Sequence, residues 1–249
     1  MSQQLITLIT GANQGLGYHA AQQLASTGKH LVIMGSRSLE KGKAAKQQIL
    51  STNPTIESAS LHVLRIDIAD DTSIAAAVET VKSNRGHIDI LINNAAISGY
   101  PSLNGETSRE KYQVLYNTNV TGTAAVTESF LPLLRASKAP SPGRRIVMVS
   151  SRLGSMQYIS TMGAGSFQFI QYGITKAALN NLGVSYSGLL KEEGIAVVLV
   201  CPGHCATNLN DYGGAKPPED GAKEIVNAAT EGGMELSGKF ITEGKILPW

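Results

Sequence analysis

Short apolar runs recur along the chain, and their pattern restricts the possible folds more than any other feature. Each run is continuous rather than alternating, which is typical of parallel strands covered by helices on both faces. Longer stretches of helical character separate the runs, so we predict an α/β chain built on one doubly wound parallel β-sheet. The predicted strands are residues 5–10, 30–34, 61–66, 88–92, 145–150 and 195–200.

The stretches between the predicted strands have the length and apolar spacing of helices. Right-handed crossovers would place every loop that follows a strand at one edge of the sheet, where ligands bind in such folds. Residues 208–221, rich in Gly, Pro, Asn and Asp, are instead predicted to form a loop. The predicted helices lie at about 14–27, 39–51, 71–84, 107–136 and 171–191.

The charge and composition argue against several functional classes. The 249 residues include 21 basic and 19 acidic ones, and this net charge of +2 gives no electrostatic case for a nucleic acid or an anionic membrane as partner. No apolar run is long enough to span a bilayer, the N-terminus lacks the features of a signal peptide, and two cysteines make no disulfide framework. We therefore expect a single cytoplasmic domain.

A glycine-rich turn, TGANQGLG, follows the first predicted strand directly. Glycine lets the chain turn sharply and lets backbone N–H groups approach a phosphate, while the helix that follows points its N-terminus at the same anion. This position predicts a Rossmann-type dinucleotide-binding domain, although a glycine-rich turn of some other α/β protein is the alternative. The predicted phosphate contacts are Gly11, Asn13, Gln14, Gly15, Leu16 and Gly17.

The end of the second predicted strand indicates which dinucleotide binds. An acidic residue at this tip grips the ribose hydroxyls of NAD, and this chain has Ser36 and Arg37 there, with Lys41 nearby. Arginine can form a charge-assisted fork with a 2′-phosphate, so we predict NADPH/NADP+ as the cofactor. The alternative is that Arg37 and Lys41 are solvated surface charges.

A tyrosine and a lysine four residues apart, Tyr172 and Lys176, lie in the predicted helix at 171–191. One helical turn places both on one face. A lysine charge about 4 Å away, at an effective dielectric of about 20, would favour the phenolate by roughly 4 kcal/mol, so we expect a lowered pKa for Tyr172. Tyr212 and Lys216 share this spacing, but two glycines and two prolines around them oppose a helix.

Taken in order, these motifs resemble those of the short-chain dehydrogenase/reductase family from end to end. TGANQGLG resembles its TGxxxGxG turn, NNAA its NNAG motif with alanine in the last position, and the Tyr172–Lys176 pair its YxxxK. The resemblance assigns catalytic roles to Asn119, Ser151, Tyr172 and Lys176. It assigns further cofactor contacts to Asp67, Ile68, Asn94, Ala95, Ala96, Pro202, Gly203, Cys205 and Thr207.

The resemblance implies an NADPH-dependent reductase that transfers a hydride to a small ketone or aldehyde, or works in reverse on a secondary alcohol. Tyr172 would be the general acid/base, Ser151 would donate to the substrate oxygen, Lys176 would also bind the nicotinamide ribose, and Asn119 would support a water in a proton relay. The family often pairs through the helices at 107–136 and 171–191, so a homodimer or homotetramer is possible. An epimerase or dehydratase without net cofactor turnover, or a non-catalytic NADPH-binding protein, is the alternative.

The chain departs from the family pattern in the 21-residue gap from Ser151 to Tyr172. We predict one catalytic domain over residues 1–249 in which the segment 152–170 and the tail 208–249 shape the substrate pocket. Substitutions at Met156, Tyr158 or Phe167 should then change the KM for substrate. No metal is predicted, because Cys201, His204 and Cys205 lack the usual second pair of ligands. Asn180 and Asn181 are predicted to be ordinary helix surface.

Overall fold

An eight-stranded sheet forms the centre of the protein, with the strand order β3-β2-β1-β4-β5-β6-β7-β8. The computed structural model describes residues 4–99, 107–162 and 169–249. Strands β1 to β7 are parallel, and β8 pairs with β7 in the antiparallel sense. The strands are β1 (Leu5–Ile9), β2 (His30–Ser36), β3 (Leu61–Arg65), β4 (Ile90–Asn93), β5 (Arg145–Val149), β6 (Ala196–Val200), β7 (Phe240–Thr242) and β8 (Lys245–Ile246).

Helices connect the strands and cover both faces of the sheet. One apolar cluster includes Leu24, Ile49 and Ile225, and the other includes Phe130 and Leu179. Because both faces are buried, the strands carry apolar side chains on both sides, which explains their continuous apolar runs. The helices are α1 (Gly15–Ser26), α2 (Leu39–Thr52), α3 (Asp71–Arg85), α4 (Ser108–Tyr116), α5 (Thr123–Ala136), α6 (Met156–Ser160), α7 (Ile170–Leu189) and α8 (Pro218–Thr230).

The predicted doubly wound sheet is confirmed, and the six predicted strands match β1 to β6 to within about two residues at each end. The prediction missed α6, α8, β7 and β8, and the predicted loop 208–221 is wrong at its end because α8 begins at Pro218. Proline is favoured in a first helical turn, and the acidic Glu219 and Asp220 complement the positive helix N-terminus there. Within the described residues, no helix has the length and apolar character needed to cross a bilayer.

The helix predicted over 107–136 is interrupted rather than continuous. Between α4 and α5 the chain forms a π-helical turn, Asn117–Gly122, which contains Asn119. Such turns insert an extra residue into a helix and are frequent at functional sites. A side chain at Gly122 would place its Cβ 2.3 Å from the carbonyl oxygen of Ile68, so glycine allows this turn to lie against the loop that follows β3.

Candidate active site

A cavity of about 940 Å³ lies at the carboxyl edge of the sheet, where the strand order reverses between β1 and β4. All predicted site residues except Gly17 and Asn119 line it. Residues remote in the sequence are thus brought to one place by the parallel strands. Those that line the cavity are Gly11, Asn13, Gln14, Gly15, Leu16, Ser36, Arg37, Asp67, Ile68, Asn94, Ala95, Ala96, Ser151, Tyr172, Lys176, Pro202, Gly203, Cys205 and Thr207.

The turn after β1 needs its glycines for two different reasons. Gly11 and Gly15 have φ values of 66° and 55°, in the left-handed region that favours glycine. Gly17 lies outside the cavity lining, and a Cβ there would come 2.5 Å from Nδ2 of Asn94. Gly17 therefore allows α1 to pack closely against the neighbouring loop, whereas Gly11 and Gly15 shape the turn itself.

Hydrogen bonds hold this turn in place through the loop that follows β4. The Asn94 side-chain amide donates to the carbonyls of Thr10 and Gly11, at 2.8 and 3.2 Å. The Thr10 hydroxyl oxygen accepts from the backbone N–H groups of Asn94 and Ala95, both at 3.0 Å. A preformed glycine cradle at the start of α1 fits the pyrophosphate of a dinucleotide. Thr10 was not predicted, because its role depends on the neighbouring strand.

The far end of the cavity carries basic residues at the tip of β2. Arg37 is exposed, and it lines the cavity together with Ser38 and Lys41. Ser36 is buried, and its hydroxyl donates to the Ser38 carbonyl at 2.8 Å. Asp67, after β3, is the one acidic residue among the described residues that line the cavity. Arg37 and Lys41 therefore give this end its positive charge, with the Ser36 hydroxyl already engaged.

Asn119 is buried, and its side chain joins the loop after β4 to helix α7 through hydrogen bonds. Its side-chain oxygen accepts from the N–H of Ile97 at 2.9 Å, and its amide donates to the Ile97 carbonyl at 2.8 Å and to the Thr175 hydroxyl at 3.0 Å. The Thr175 hydroxyl in turn donates to the Tyr172 carbonyl at 2.7 Å. Asn119 thus ties the π-helical turn to α7, and its part in a proton relay stays a prediction.

Ser151 stands at the end of β5, where a short 3₁₀ turn places it against α7. Its hydroxyl oxygen accepts from the N–H of Leu153 at 3.2 Å, which leaves its own proton free to be donated into the cavity. A Cβ at Gly154 would lie 2.7 Å from the backbone carbon of Lys176, and one at Gly173 would lie 3.0 Å from the Leu153 carbonyl oxygen. These two glycines allow the turn to lie directly on the helix that carries Tyr172.

Asn180, predicted to be helix surface, is in fact only 3% exposed. Its side-chain oxygen is 2.5 Å from the Ser150 hydroxyl, and its amide donates to the Gly154 carbonyl at 3.2 Å. The surface prediction is therefore wrong for Asn180, whereas Asn181 is exposed. Asn180 thus holds the residues at both ends of the short turn after β5. Its burial could have been predicted from its position, because it lies one helical turn beyond Lys176 and therefore on the same face of the helix.

Tyr172 and Lys176 lie on one face of α7, with the lysine Nζ 5.5 Å from the tyrosine ring centroid. Nζ donates to the Val149 carbonyl at 2.8 Å. Burial raises the pKa of Tyr172 above its usual value and lowers the pKa of Lys176 to about 8. The lowered Tyr172 pKa that we expected is therefore wrong for this arrangement, because burial removes the hydration that the phenolate would need.

Lys176→Met is expected to raise the free energy of unfolding of the cofactor-free protein at pH 7 by about 1–3 kcal/mol. The folded pKa of about 8 lies below the ordinary value of 10.5, so folding disfavours the ammonium. Below pH 8 this penalty is complete. Between pH 8 and 10.5 the folded lysine loses its proton before the unfolded one, so the wild type recovers stability and the difference narrows. The lost bond to Val149 sets the lower limit of the gain.

Urea denaturation of both proteins at pH 7 and pH 10 measures this effect. Lys43→Met, at an exposed position on α2, is the matched control and should leave stability nearly unchanged. A Lys176→Met protein less stable than the wild type at pH 7, or a stability difference that does not change with pH, would contradict the expectation.

The second tyrosine–lysine pair does not form a comparable site. Tyr212 has a φ of 60° and is 68% exposed, and no helix contains it. Lys216 pairs with Glu243, with 3.4 Å between Nζ and Oε1. The spacing alone therefore carries no chemistry, and the helix is what makes the Tyr172–Lys176 pair distinctive.

The segment between Ser151 and Tyr172 contributes Tyr158, Met162 and Phe169 to the cavity lining. Met156 is 75% exposed and is not among the lining residues, so its predicted effect on substrate KM has no structural basis. Phe167 lies outside the described residues. From the tail 208–249, the lining residues are Asn208, Leu209 and Asn210.

The end of the chain supports the start of this segment. The Ser155 hydroxyl donates to the Pro248 carbonyl at 2.7 Å, and the N–H of Gln157 donates to the Trp249 carbonyl at 2.9 Å. The Trp249 ring stacks on Phe240 of β7, with ring centroids 5.7 Å apart. The tail thereby connects the cavity wall to the sheet edge.

Cys201 and Cys205 are both buried, and both line the cavity. The Cys201 sulfur accepts from the N–H of Arg152 at 3.2 Å, and the Cys205 thiol donates to the Pro202 carbonyl at 3.4 Å. In the described parts of the chain, no three His, Cys, Asp or Glu side chains are grouped as metal ligands would be.

Comparisons with known proteins agree with the fold and the cavity. The short chain dehydrogenase family profile matches residues 5–217. The short-chain dehydrogenase anuI of Penicillium roqueforti is 43% identical over 247 residues, covering 97% of this chain and 95% of that protein. The (+)-neomenthol dehydrogenase of Capsicum annuum is 30% identical over 294 aligned positions, covering 89% of this chain and 90% of its own.

A solved structure gives the same result. The NADPH-bound carbonyl reductase from chicken fatty liver superposes with a TM-score of 0.83 at 27% identity, covering 99% of this chain and all of that one. A parallel sheet with a glycine cradle and a Ser–Tyr–Lys cavity at its carboxyl edge defines an α/β oxidoreductase. The chain belongs to the short-chain dehydrogenase/reductase family, and its fold is similar to that of carbonyl reductases.

Proposed function

We propose that this protein is an NADPH-dependent reductase of a small ketone or aldehyde, able to oxidise the corresponding secondary alcohol in reverse. The observation that carries the proposal is that Ser151, Tyr172 and Lys176 line the same cavity as the glycine cradle. A carbonyl group placed between the hydroxyls of Ser151 and Tyr172 would lie in the same cavity as the cofactor bound at the glycine cradle. A bound nicotinamide would supply the hydride.

Tyr172 is the proposed proton donor to the carbonyl oxygen. Burial raises its pKa, so the hydroxyl is protonated at neutral pH, as reduction requires. The Ser151 hydroxyl, held by the N–H of Leu153, is the proposed second donor to the same oxygen. Such preorganised donors stabilise the charge that develops on oxygen as the carbonyl is reduced.

Lys176 is proposed to balance the charge that remains after Tyr172 gives up its proton. An ammonium group has three N–H donors, and the bond to the Val149 carbonyl uses one. The others would be available to a ribose hydroxyl of the cofactor, as the family resemblance implies. A cation held at this place favours the phenolate, and this effect opposes the burial of Tyr172.

The cofactor assignment rests on the basic end of the cavity. Arg37 and Lys41 are proposed to bind the 2′-phosphate of NADPH, since no acidic residue lines the cavity at the tip of β2 in the described chain. Asp67 and Ile68 would hold the adenine. The loop Pro202–Thr207, with Gly203 at a φ of 91°, would hold the nicotinamide carboxamide.

We further propose, as expected from the sequence, that the protein is cytoplasmic and forms a homodimer or homotetramer. Exposed apolar side chains on α4 and α7 support pairing through those helices. They are Val114, Ile170, Ile174, Val184 and Leu189, each between 38% and 64% exposed.

A panel of aldehydes and ketones incubated with NADPH tests the proposal. We expect oxidation of NADPH, followed at 340 nm, in step with formation of the matching alcohol. A product formed without net NADPH consumption would instead support an epimerase or dehydratase. Tight NADPH binding with no product from any compound would support a non-catalytic binding protein.

A further inference from the structure

One charged side chain in the cavity has no part in the proposed chemistry. Arg152 follows Ser151 directly and lines the same cavity. Its guanidinium carbon lies 5.5 Å from the centre of the Tyr158 ring on α6, so the charge sits over an aromatic face. The N–H of Arg152 is bound to the Cys201 sulfur at 3.2 Å, which anchors the start of this side chain beside the catalytic residues.

The other basic residues of the cavity have assignments. Arg37 and Lys41 lie at the tip of β2, where the 2′-phosphate is proposed to bind, and Lys176 is bound to the Val149 carbonyl. Arg152 follows β5, three strands away from Arg37 and Lys41 in the sheet order. Over residues 4–99, 107–162 and 169–249, no carboxylate lies within ion-pair distance of its guanidinium. The one acidic lining residue, Asp67, follows β3 at the adenosine end.

The partners that the Arg152 guanidinium does have, the side chains of Tyr158 and Cys201, bring it no counter-charge as a neutral hydroxyl and thiol. Leu153, Tyr158, Met162 and Leu209 line the cavity too, so a bound substrate would replace water with largely apolar groups. A charge left without water and without a counter-ion is costly, whereas a planar anion can accept two parallel hydrogen bonds from one guanidinium. Contact with Tyr158 restricts where the guanidinium can lie in the cavity.

We propose that Arg152 binds a carboxylate of the substrate, so that the enzyme acts on carbonyl compounds that also carry a carboxylate group. The inference rests on the proposed reductase function, because it places the carboxylate relative to a carbonyl at Ser151 and Tyr172. Arg152 then sets specificity and takes no part in proton or hydride transfer. Its contribution is to binding, so its loss should appear in KM more than in kcat.

Matched acids and esters test the proposal. The probes are 2-, 3- and 4-carboxybenzaldehyde and their methyl esters, assayed with NADPH. We expect kcat/KM for the best acid to exceed that of its ester by about ten- to a hundred-fold. Arg152→Met should remove this preference and Arg152→Lys should keep part of it. Arg109→Met, at an exposed position on α4, is the matched control and should behave as the wild type.

A binding measurement separates this inference from the reductase function. Benzoate is titrated calorimetrically into the wild type and each variant in the presence of NADP+. Affinity that falls about tenfold or more in Arg152→Met, and is unchanged in Arg109→Met, supports the carboxylate site even if no carbonyl compound is reduced. In that event only the reductase proposal fails.

Two results would overturn the carboxylate site. The first is a wild type that turns over acid and ester equally and binds benzoate no better than Arg152→Met does. The second is an acid preference that survives in Arg152→Met, because another group would then be responsible for it.

Discussion

Replacing Tyr172 by phenylalanine is expected to lower kcat for carbonyl reduction by about 10²–10⁴-fold and to leave NADPH affinity nearly unchanged. The substitution keeps the ring, which lies 5.5 Å from the Lys176 Nζ, and removes only the hydroxyl proposed to give the proton. Lys176 is the other titratable residue of α7 that lines the described cavity, and its Nζ is already bound to the Val149 carbonyl. Steady-state kinetics and fluorescence titration with NADPH measure the two quantities.

The chain supplies its own control for this experiment. Tyr212→Phe alters the tyrosine of the second YxxxK spacing, which is 68% exposed and outside the cavity lining, and it should keep wild-type kcat. A Tyr172→Phe enzyme with kcat within about threefold of the wild type would rule out Tyr172 as the proton donor.

Arg37→Asp is expected to lower the NADPH-to-NADH ratio of kcat/KM by about ten- to a hundred-fold or more. A charge-assisted contact between arginine and phosphate contributes roughly 1.5–3 kcal/mol, and each 1.4 kcal/mol is a factor of ten. The new carboxylate would also repel the 2′-phosphate and could accept from a ribose hydroxyl. The remaining preference would come from Lys41, which lines the same end of the cavity.

The same ratio in Arg65→Asp separates a local effect from a change in overall charge. Arg65 is an exposed residue at the end of β3 that does not line the cavity, so the ratio should stay as in the wild type. A wild-type ratio near or below one would contradict the cofactor proposal, since Arg37 would then make no productive contact with phosphate.

The sheet could be predicted from sequence because burial on both faces leaves a direct trace in the residues. Runs such as 146–149 and 195–200 are apolar throughout, and no solvent-facing alternation competes with this signal. Strand β7 has three residues, of which only Phe240 is buried, so it has no apolar run long enough to predict a strand. Helix α8 was missed because its two starting prolines were read as a loop signal, although proline is compatible with a first helical turn.

Most of the candidate site could also be predicted, because motif order places its residues on loops that the parallel strands bring to one edge. The contacts that support the site residues could not be predicted from the sequence. The bond between Ser150 and Asn180 joins residues 30 positions apart, and the π-helical turn around Asn119 depends on the close approach of Gly122 to Ile68. The pKa of Tyr172 was misjudged for the same reason, because spacing gives the distance to a charge but not the extent of burial.

The attachment of Pro248 and Trp249 to the wall at Ser155 and Gln157 has a consequence for how substrate preference can evolve. The two segments are 93 positions apart at Ser155 and Pro248, yet neither can shift without breaking hydrogen bonds to the other. Mutations at Pro248 or Trp249 can therefore move Tyr158 and its neighbours, while Tyr172 stays on α7 and Ser151 stays at the turn after β5. Selection could retune what this protein recognises through Pro248 and Trp249, which do not line the cavity.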